Sequence, residues 1–354
     1  MSALALKPEA MNPVARRPRV LIVDDSSVAR AVIERIVGDS GRFDVAAALP
    51  DASSALAWLA KERADVMLLD IDMPGIDGLT ALPDLIEAGG NARIIVVSSS
   101  AHDGQAASIQ ALALGAADTL VKPVAGSLVG HFSRTLIERL SRLVDARDSN
   151  DAVIVDPLPA RPFGRIDLLA IGASTGGIHA LGQLLRALPR SFETPILITQ
   201  HLPATFMPYF AAQVAVLAGR PCDVAVDCMR IRPGRVIIAP GDAHVRIVRT
   251  SDGASIRLDR ERSRTGCMPS VDPMFESAAQ VFGDRACGVV LSGMGRDGLD
   301  GARALAKSGG AIVVQDQATS VVWGMPGAVA QAGIARAVLP PDIIGRLLAT
   351  GCGL

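Results

Sequence analysis

Aromatic residues make up only 3% of this chain: two Trp, one Tyr and eight Phe in 354 residues. So small a stock excludes base-stacking platforms of the kind that hold single-stranded nucleic acid. Charge of one sign is missing too. Lys and Arg number 35 against 36 Asp and Glu, for a net charge of -1, so no global field draws the chain to nucleic acid or to an anionic membrane. Cysteine is sparse: Cys222, Cys228, Cys267, Cys287 and Cys352 form an odd set without C-x-x-C spacing. That pattern argues against zinc or a disulfide framework and for a reducing compartment. No uninterrupted apolar run approaches the roughly 20 residues that span a bilayer. Leu4 to Leu6 is too short for a secretion signal and runs into Lys7-Pro8. These absences predict a cytoplasmic protein with no direct membrane insertion and no nucleic-acid partner.

What is present is enough for two ordinary cores, since 49% of the residues are apolar and 20% charged. The stretch that organises the chain is Gly172-Ala173-Ser174-Thr175-Gly176-Gly177. A short aliphatic run, Ile166 to Ile171, precedes it and predicts a buried strand. Ile178, Leu181, Leu184, Leu185 and Leu188 follow at helical spacing. Ser174 is therefore expected in a strand-to-helix turn, with its hydroxyl at the carboxyl edge of a sheet beside helix-start N–H groups. The spacing satisfies the G-x-S-x-G nucleophile pattern, which a bland turn containing serine also satisfies.

Residues 1–17 lack periodicity and read as a mobile tail. Strands are then predicted at Arg19–Val23, Val45–Leu49, Val66–Leu69, Ile94–Val97 and Thr119–Val121, alternating with helices. An amphipathic helix, Leu128 to Val144, closes the unit. Such alternation implies a parallel sheet, and parallel sheets bind ligands beyond the carboxyl ends of their strands. Those ends carry Asp24, Asp25, Asp70, Ser98 and Lys122. Three carboxylates in one crevice repel one another unless a hard cation sits among them, and oxygen ligands with room for water suit Mg²⁺. The hydroxyl and the ammonium suit a phosphoryl group. Each residue alone has a bland reading, as a helix cap or a solvated loop residue; their joint placement at strand ends argues otherwise.

VLIVDDSSVAR, LLDIDMPGIDGL, IIVVSSS and GAADTLVKP resemble a response-regulator receiver domain over about residues 18–145. The resemblance implies a flavodoxin-like fold, Asp70 as phosphoacceptor, and Asp24, Asp25 and Asp70 around Mg²⁺. It also implies Ser98 and Lys122 as phosphoryl-binding groups, with a cis bond at Lys122-Pro123. Receivers commonly place Tyr or Phe where this chain has Thr119, so the aromatic relay is altered. Residues 146–164, with Pro157, Pro159 and Pro162, read as a linker.

The rest of the chain, 165–354, again alternates strands and helices. Gly241-Asp242, between Val236–Ala239 and Val245–Val248, suggests a hairpin or tight turn there, within a hairpin insertion. A nucleophilic Ser174 needs a base and a group to orient that base. His201 directly follows the strand predicted next to that of Ser174, on the same sheet edge. His179 shares the helix leaving the turn, and His244 reads as a surface residue of the hairpin. For the orienting acid, Asp297 and Asp316 both follow strands at that edge, with a modest lead for Asp297 in its glycine-rich loop.

IGASTGG, ITQHLP, PSVDPMFESAA, LSGMGRDG and DQATSVVWGMPGAV resemble the catalytic domain of the chemotaxis protein-glutamate methylesterases and glutamine deamidases over about residues 165–350. A receiver in front is also that family's arrangement. The resemblance implies two doubly wound parallel-sheet α/β domains, the second Rossmann-like with a β-hairpin insertion. It implies Ser174 as nucleophile, His201 as base, Asp297 as its partner and Met294 as a backbone donor to the oxyanion. It further implies methylated chemoreceptors as substrate, a chemotaxis histidine kinase as phosphodonor, and no cofactor for the ester hydrolysis. The order Ser, His, Asp differs from the Ser, acid, His order of α/β-hydrolases, which sets a generic esterase of that fold aside. Two other classes compete: a receiver fused to a degenerate, non-catalytic binding module, and a nucleotide-binding domain using the glycine-rich turn. The intact Ser174, His201 and Asp297 speak against the first, and serine at the second position of G-x-G against the second.

Overall fold

The computed structural model describes residues 16–98, 102–122, 129–148 and 164–351. The Lys122-Pro123 bond, almost all of the expected tail and most of the expected linker lie outside the described residues. The first sheet contains β1 (Arg19–Val23), β2 (Asp44–Leu49), β3 (Val66–Asp70), β4 (Arg93–Ser98) and β5 (Asp118–Val121). Its order is β2-β1-β3-β4-β5 and every pairing is parallel. Between the strands run α1 (Ser27–Asp39), α2 (Ala52–Leu59), α3 (Gly78–Gly89) and α4 (His102–Leu114), with α5 (Val129–Asp148) after them. β3 is buried at all of its positions, as a strand covered by helices on both faces must be. The helix starts are written locally: Ser26, Asp51 and Asp77 accept from the N–H groups of Ala29, Ser54 and Thr80. The helix expected to end at Val144 continues to Asp148, because Asp145 to Asp148 include no Gly or Pro to break it.

The second sheet is built from β6 (Leu168–Ala173), β7 (Ile196–Gln200), β8 (Cys222–Val224), β9 (Val236–Ile238), β12 (Ala286–Val290), β13 (Ala311–Gln315) and β14 (Ala337–Leu339). Between β9 and β12 in sequence lie β10 (His244–Thr250) and β11 (Gly253–Asp259). The seven-stranded sheet has the order β14-β13-β12-β6-β7-β9-β8 and is parallel throughout. Helices α6 (Gly177–Ala187), α7 (Met207–Ala218), α8 (Val271–Phe282), α9 (Leu299–Lys307), α10 (Met325–Gln331) and α11 (Pro341–Gly351) cover its faces. The hairpin lies one connection further on, and of the two readings of Gly241-Asp242 the tight turn holds. Val236–Ile238 joins the parallel sheet, and the antiparallel pair is β10 with β11, turning between Thr250 and Gly253. The Gly241-Asp242 turn only carries the chain out of the sheet to β10. Its glycine is needed for contact: a side chain at 241 would overlap the backbone of Ala204, 2.1 Å away.

From β6 the chain passes to β7, out to the edge strand β8 and back to β9 between them, then crosses to the other side of β6 with β12. The strand order therefore reverses between β6 and β12, and the crevice outside their carboxyl ends is where such sheets bind ligands. The first unit rests against this region. Gly176 N–H donates to the Ala117 carbonyl at 3.2 Å, and His179 Nδ1 lies 3.0 Å from the Ala113 carbonyl. Val322, 3% exposed, packs with Phe132, Leu136 and Leu140 of α5.

Candidate active site

Ser174 stands one residue beyond the pairing of Ala173 with Gln200 at the ends of β6 and β7. His201 is the next residue of β7, and its N–H extends the ladder to the Ala173 carbonyl at 3.1 Å. Ser174 and His201 are thus neighbours through strand register. Gly176 takes φ 75° to turn the chain into α6. The turn is held from two sides: Ser174 N–H donates to the Ser292 carbonyl at 3.0 Å, and Gln200 Nε2 donates to the Ser174 carbonyl at 2.9 Å. Gly293 lies so close that a side chain there would come within 2.8 Å of the Ser174 Cβ.

Asp297, in the loop after β12, meets His201: Nε2 donates to Oδ2 at 2.8 Å. This bond leaves Nδ1 as the basic nitrogen of the ring. Asp297 is 1% exposed, so its charge needs donors. It has Ser270 Oγ at 2.6 Å, Thr265 Oγ1 at 3.1 Å and the Val271 N–H at 2.7 Å besides His201. Burial alone would raise its pKa, but His201, Ser270 and Val271 outweigh it and bring the carboxyl down to about 2. Burial opposes charge on His201 as well. The Asp297 and Cys267 side chains outweigh that, and the imidazole pKa is pushed up to about 9. The Ser174 hydroxyl makes no hydrogen bond to His201 in this conformation, a contact that often tightens only with substrate bound.

Met294 is 41% exposed in the same loop. Its N–H donates to no described group, whereas the neighbouring Gly293 N–H is taken by the Val322 carbonyl at 3.0 Å. A cavity of about 640 Å³ opens beside it, walled by Arg142 and Asp145 of α5 and by Met294, Arg296 and Trp323. Asp316, the other candidate acid, instead accepts from the Thr319 N–H at 3.2 Å and closes a turn. His244 is not on the surface: it is 1% exposed, accepting from Ser270 N–H at Nδ1 and facing the Glu261 carbonyl with Nε2, both at 2.8 Å. It clamps the base of the loop that delivers Thr265, Cys267 and Ser270. Sequence reasoning passed over these three, because a loop that returns from a hairpin leaves no local signal of where it lands.

In the first unit Asp24 and Asp70 are each 1% exposed, and Asp25 is exposed at the rim. Lys122 Nζ lies 2.9 Å from Asp24 Oδ2 and 2.6 Å from Asp70 Oδ2. The first contact is an ion pair without hydrogen-bond geometry, so Asp24 Oδ2 is buried with no hydrogen-bond partner. A buried carboxylate oxygen with nothing donating to it, within 4.8 Å of ligand atoms of Asp25 and Asp70, fits a hard cation with all-oxygen ligands. Burial raises the Asp70 pKa, against the pull of Lys122. For Lys122 burial works the other way, but its two carboxylate partners win and raise its pKa. The Ser98 hydroxyl is buried and sits 2.8 Å from that of Ser108.

Residues 169–348 match the family model described as CheB methylesterase, and residues 20–129 match the response regulator receiver domain. A protein of Caulobacter vibrioides named protein-glutamate methylesterase/protein-glutamine glutaminase 2 is 43% identical over 94% of this chain and 98% of its own length. One of Rhodospirillum centenum, from its group 2 operon, bears the same activity name and is 38% identical over 93% of each chain. The crystal structure of the Thermotoga maritima CheB methylesterase catalytic domain covers 52% of this chain and 98% of that one, with TM-score 0.51 and 33% identity. Among the described residues, no helix is long and apolar enough to cross a membrane.

Proposed function

This chain belongs to the CheB methylesterase family and carries a response regulator receiver domain ahead of the catalytic one, and from that premise we propose that it hydrolyses glutamyl methyl esters on chemoreceptors and deamidates their glutamines. The observation that carries the reading is the 2.8 Å contact between His201 and Asp297 at the sheet edge where Ser174 turns into α6. Ser174 Oγ attacks the ester carbonyl while its proton passes to His201 Nδ1. The tetrahedral oxyanion faces the free Met294 N–H; one such donor is worth about 3 kcal/mol. Methanol leaves with the proton from His201. Water, deprotonated in turn by His201, opens the acyl-serine and restores glutamate. With a glutamine substrate the leaving group is ammonia. Asp297 stays ionised, fixes the tautomer and balances the imidazolium.

We assign residues 18–145 to the receiver, 146–164 to the linker and 165–354 to the catalytic domain, with 1–17 as a tail. In the receiver, Asp70 accepts a phosphoryl group from a chemotaxis histidine kinase in the cytoplasm. Asp24, Asp25 and Asp70 would hold Mg²⁺, which when bound neutralises phosphoryl charge. Lys122 exchanges part of its pairing with Asp70 for the new group, and Ser98 leaves Ser108 to reach it. The contact of Gly176 and His179 with the receiver keeps the nucleophile turn covered until then. Methanol release from a methylated chemoreceptor fragment, with and without acetyl phosphate and Mg²⁺, tests both halves together. The expected result is release that rises with the phosphodonor. No release from folded protein and verified substrate would return the reading to a non-catalytic module.

A further inference from the structure

The sequence argues against zinc because its cysteines lack metal-binding spacing, yet the fold assembles a set that spacing cannot reveal. Ligand atoms of His201, Cys267 and Asp297 lie within 4.8 Å of one another. His201 and Cys267 are partly exposed, so the cluster is open to solute, while Asp297 is buried behind them. We propose that these three residues form a site for a soft divalent cation of the Zn²⁺ class, and that its occupation silences the esterase: a metal on Nε2 leaves the ring proton on Nδ1, which is then no longer a base.

The chemistry of the set selects the metal. One imidazole nitrogen, one thiolate and one carboxylate oxygen are the ligand types that Zn²⁺ takes in a four-coordinate site. Bonds of about 2.0–2.3 Å to a tetrahedral ion place its ligand atoms about 3.4–3.7 Å apart, so no pair within the 4.8 Å limit has to close by more than about 1.4 Å. The fourth position is left for water, which the partly exposed His201 and Cys267 admit. Mg²⁺ prefers oxygen and suits the Asp24, Asp25 and Asp70 cluster instead. The chain thus offers a hard site in one domain and a soft site in the other.

The surroundings already provide what such a site needs. Asp297 is oriented by Ser270, Thr265 and the Val271 N–H, all of which survive when His201 Nε2 withdraws from Oδ2. Carboxylates that ligate metals are held by such outer bonds. The loop carrying Cys267 is anchored at both ends by His244, through Glu261 and Ser270. The metal site rests on the positions of His201 and Asp297 alone; its inhibitory role rests on the proposed function.

Co²⁺ titration of the full-length protein, with Mg²⁺ in excess to fill the receiver, reads the site directly. One equivalent should produce a thiolate-to-cobalt charge-transfer band and tetrahedral d–d bands, both displaced by Zn²⁺. Cys267→Ser should abolish the charge-transfer band, and His201→Ala should weaken Co²⁺ binding at least tenfold. A band absent from the parent protein, or unchanged in Cys267→Ser, would overturn the proposal. In the methanol assay Zn²⁺ should abolish release from the parent protein, and excess chelator should restore it. Full activity in Zn²⁺ that saturates the spectroscopic site would refute the inhibitory role. The spectra do not depend on catalysis, so failure of the esterase reading and failure of the metal site are distinguishable.

Discussion

The His201 imidazole makes a demanding prediction, because the neutral form is the base and the folded protein disfavours it. With its pKa pushed from 6.5 up to about 9, the ring is neutral in about one molecule in a hundred at pH 7, and each further unit of pH raises that fraction about tenfold. kcat/KM for methanol release should climb about tenfold between pH 7 and 8 and level off above 9. Asp272, which burial pushes up to about 7, titrates below that range and adds at most a shallower inflection. The stability effect has the opposite direction. A folded pKa above the unfolded 6.5 means that the contribution is complete below pH 6.5 and lost as pH rises through 9. At ~1.4 kcal/mol per tenfold change in proton affinity it amounts to about 3 kcal/mol. Asp297, lowered from 3.8 to about 2, gives about 2 kcal/mol from its side, present above pH 3.8 and lost as pH falls through 2. The two figures are one ion pair seen from both ends and do not add; the His201 figure is larger because it includes Cys267. Rate profiles from pH 6 to 10, with the His201 ring followed by NMR, are the assay. A rate that is flat from pH 7 to 9, with a ring titrating near 6.5, would refute the reasoning.

Other outcomes follow from the same geometry. Ser174→Ala should abolish hydrolysis, measured as methanol release, while thermal denaturation and acetyl-phosphate labelling stay as in the parent. Asp297→Asn should lower kcat by about 10³–10⁴ through the wrong tautomer, and the rate profile should shift toward acid. Asp70→Asn, or EDTA treatment, should leave basal release intact and remove its response to acetyl phosphate. Gly293→Ala sets a methyl 2.5 Å from Met325 Sδ and 2.8 Å from the Ser174 Cβ; activity should drop more than tenfold, and unchanged kinetics would show that the turn yields.

The sequence made some of this legible, and physical reasons separate what it disclosed from what it hid. Strand ends announce themselves when an aliphatic run stops at a charged or hydroxyl residue, which is why Asp24, Asp70, Lys122 and Ser174 could be placed. His201 was accessible because it follows a strand directly. The choice between Asp297 and Asp316 depended on family resemblance, since both follow strands of one sheet and only side-chain direction separates them. The hairpin was displaced by one connection because β9, three residues long, shows no difference in pattern between a parallel partner and an antiparallel one. His244 looked exposed because a histidine at the start of a strand has no sequence mark of burial. Cys267 belonged to no spacing at all.

The Gly176 contact has a further consequence for how the receiver is joined to the enzyme. Ala117, whose carbonyl receives the Gly176 N–H, immediately precedes β5; Lys122, which touches Asp70, immediately follows it. The two sites therefore hold opposite tips of one short rod, about 17 Å long at ~3.3 Å per residue. An extended strand is stiff along its axis, so a pull on the lysine tip is delivered to the serine turn with little slack.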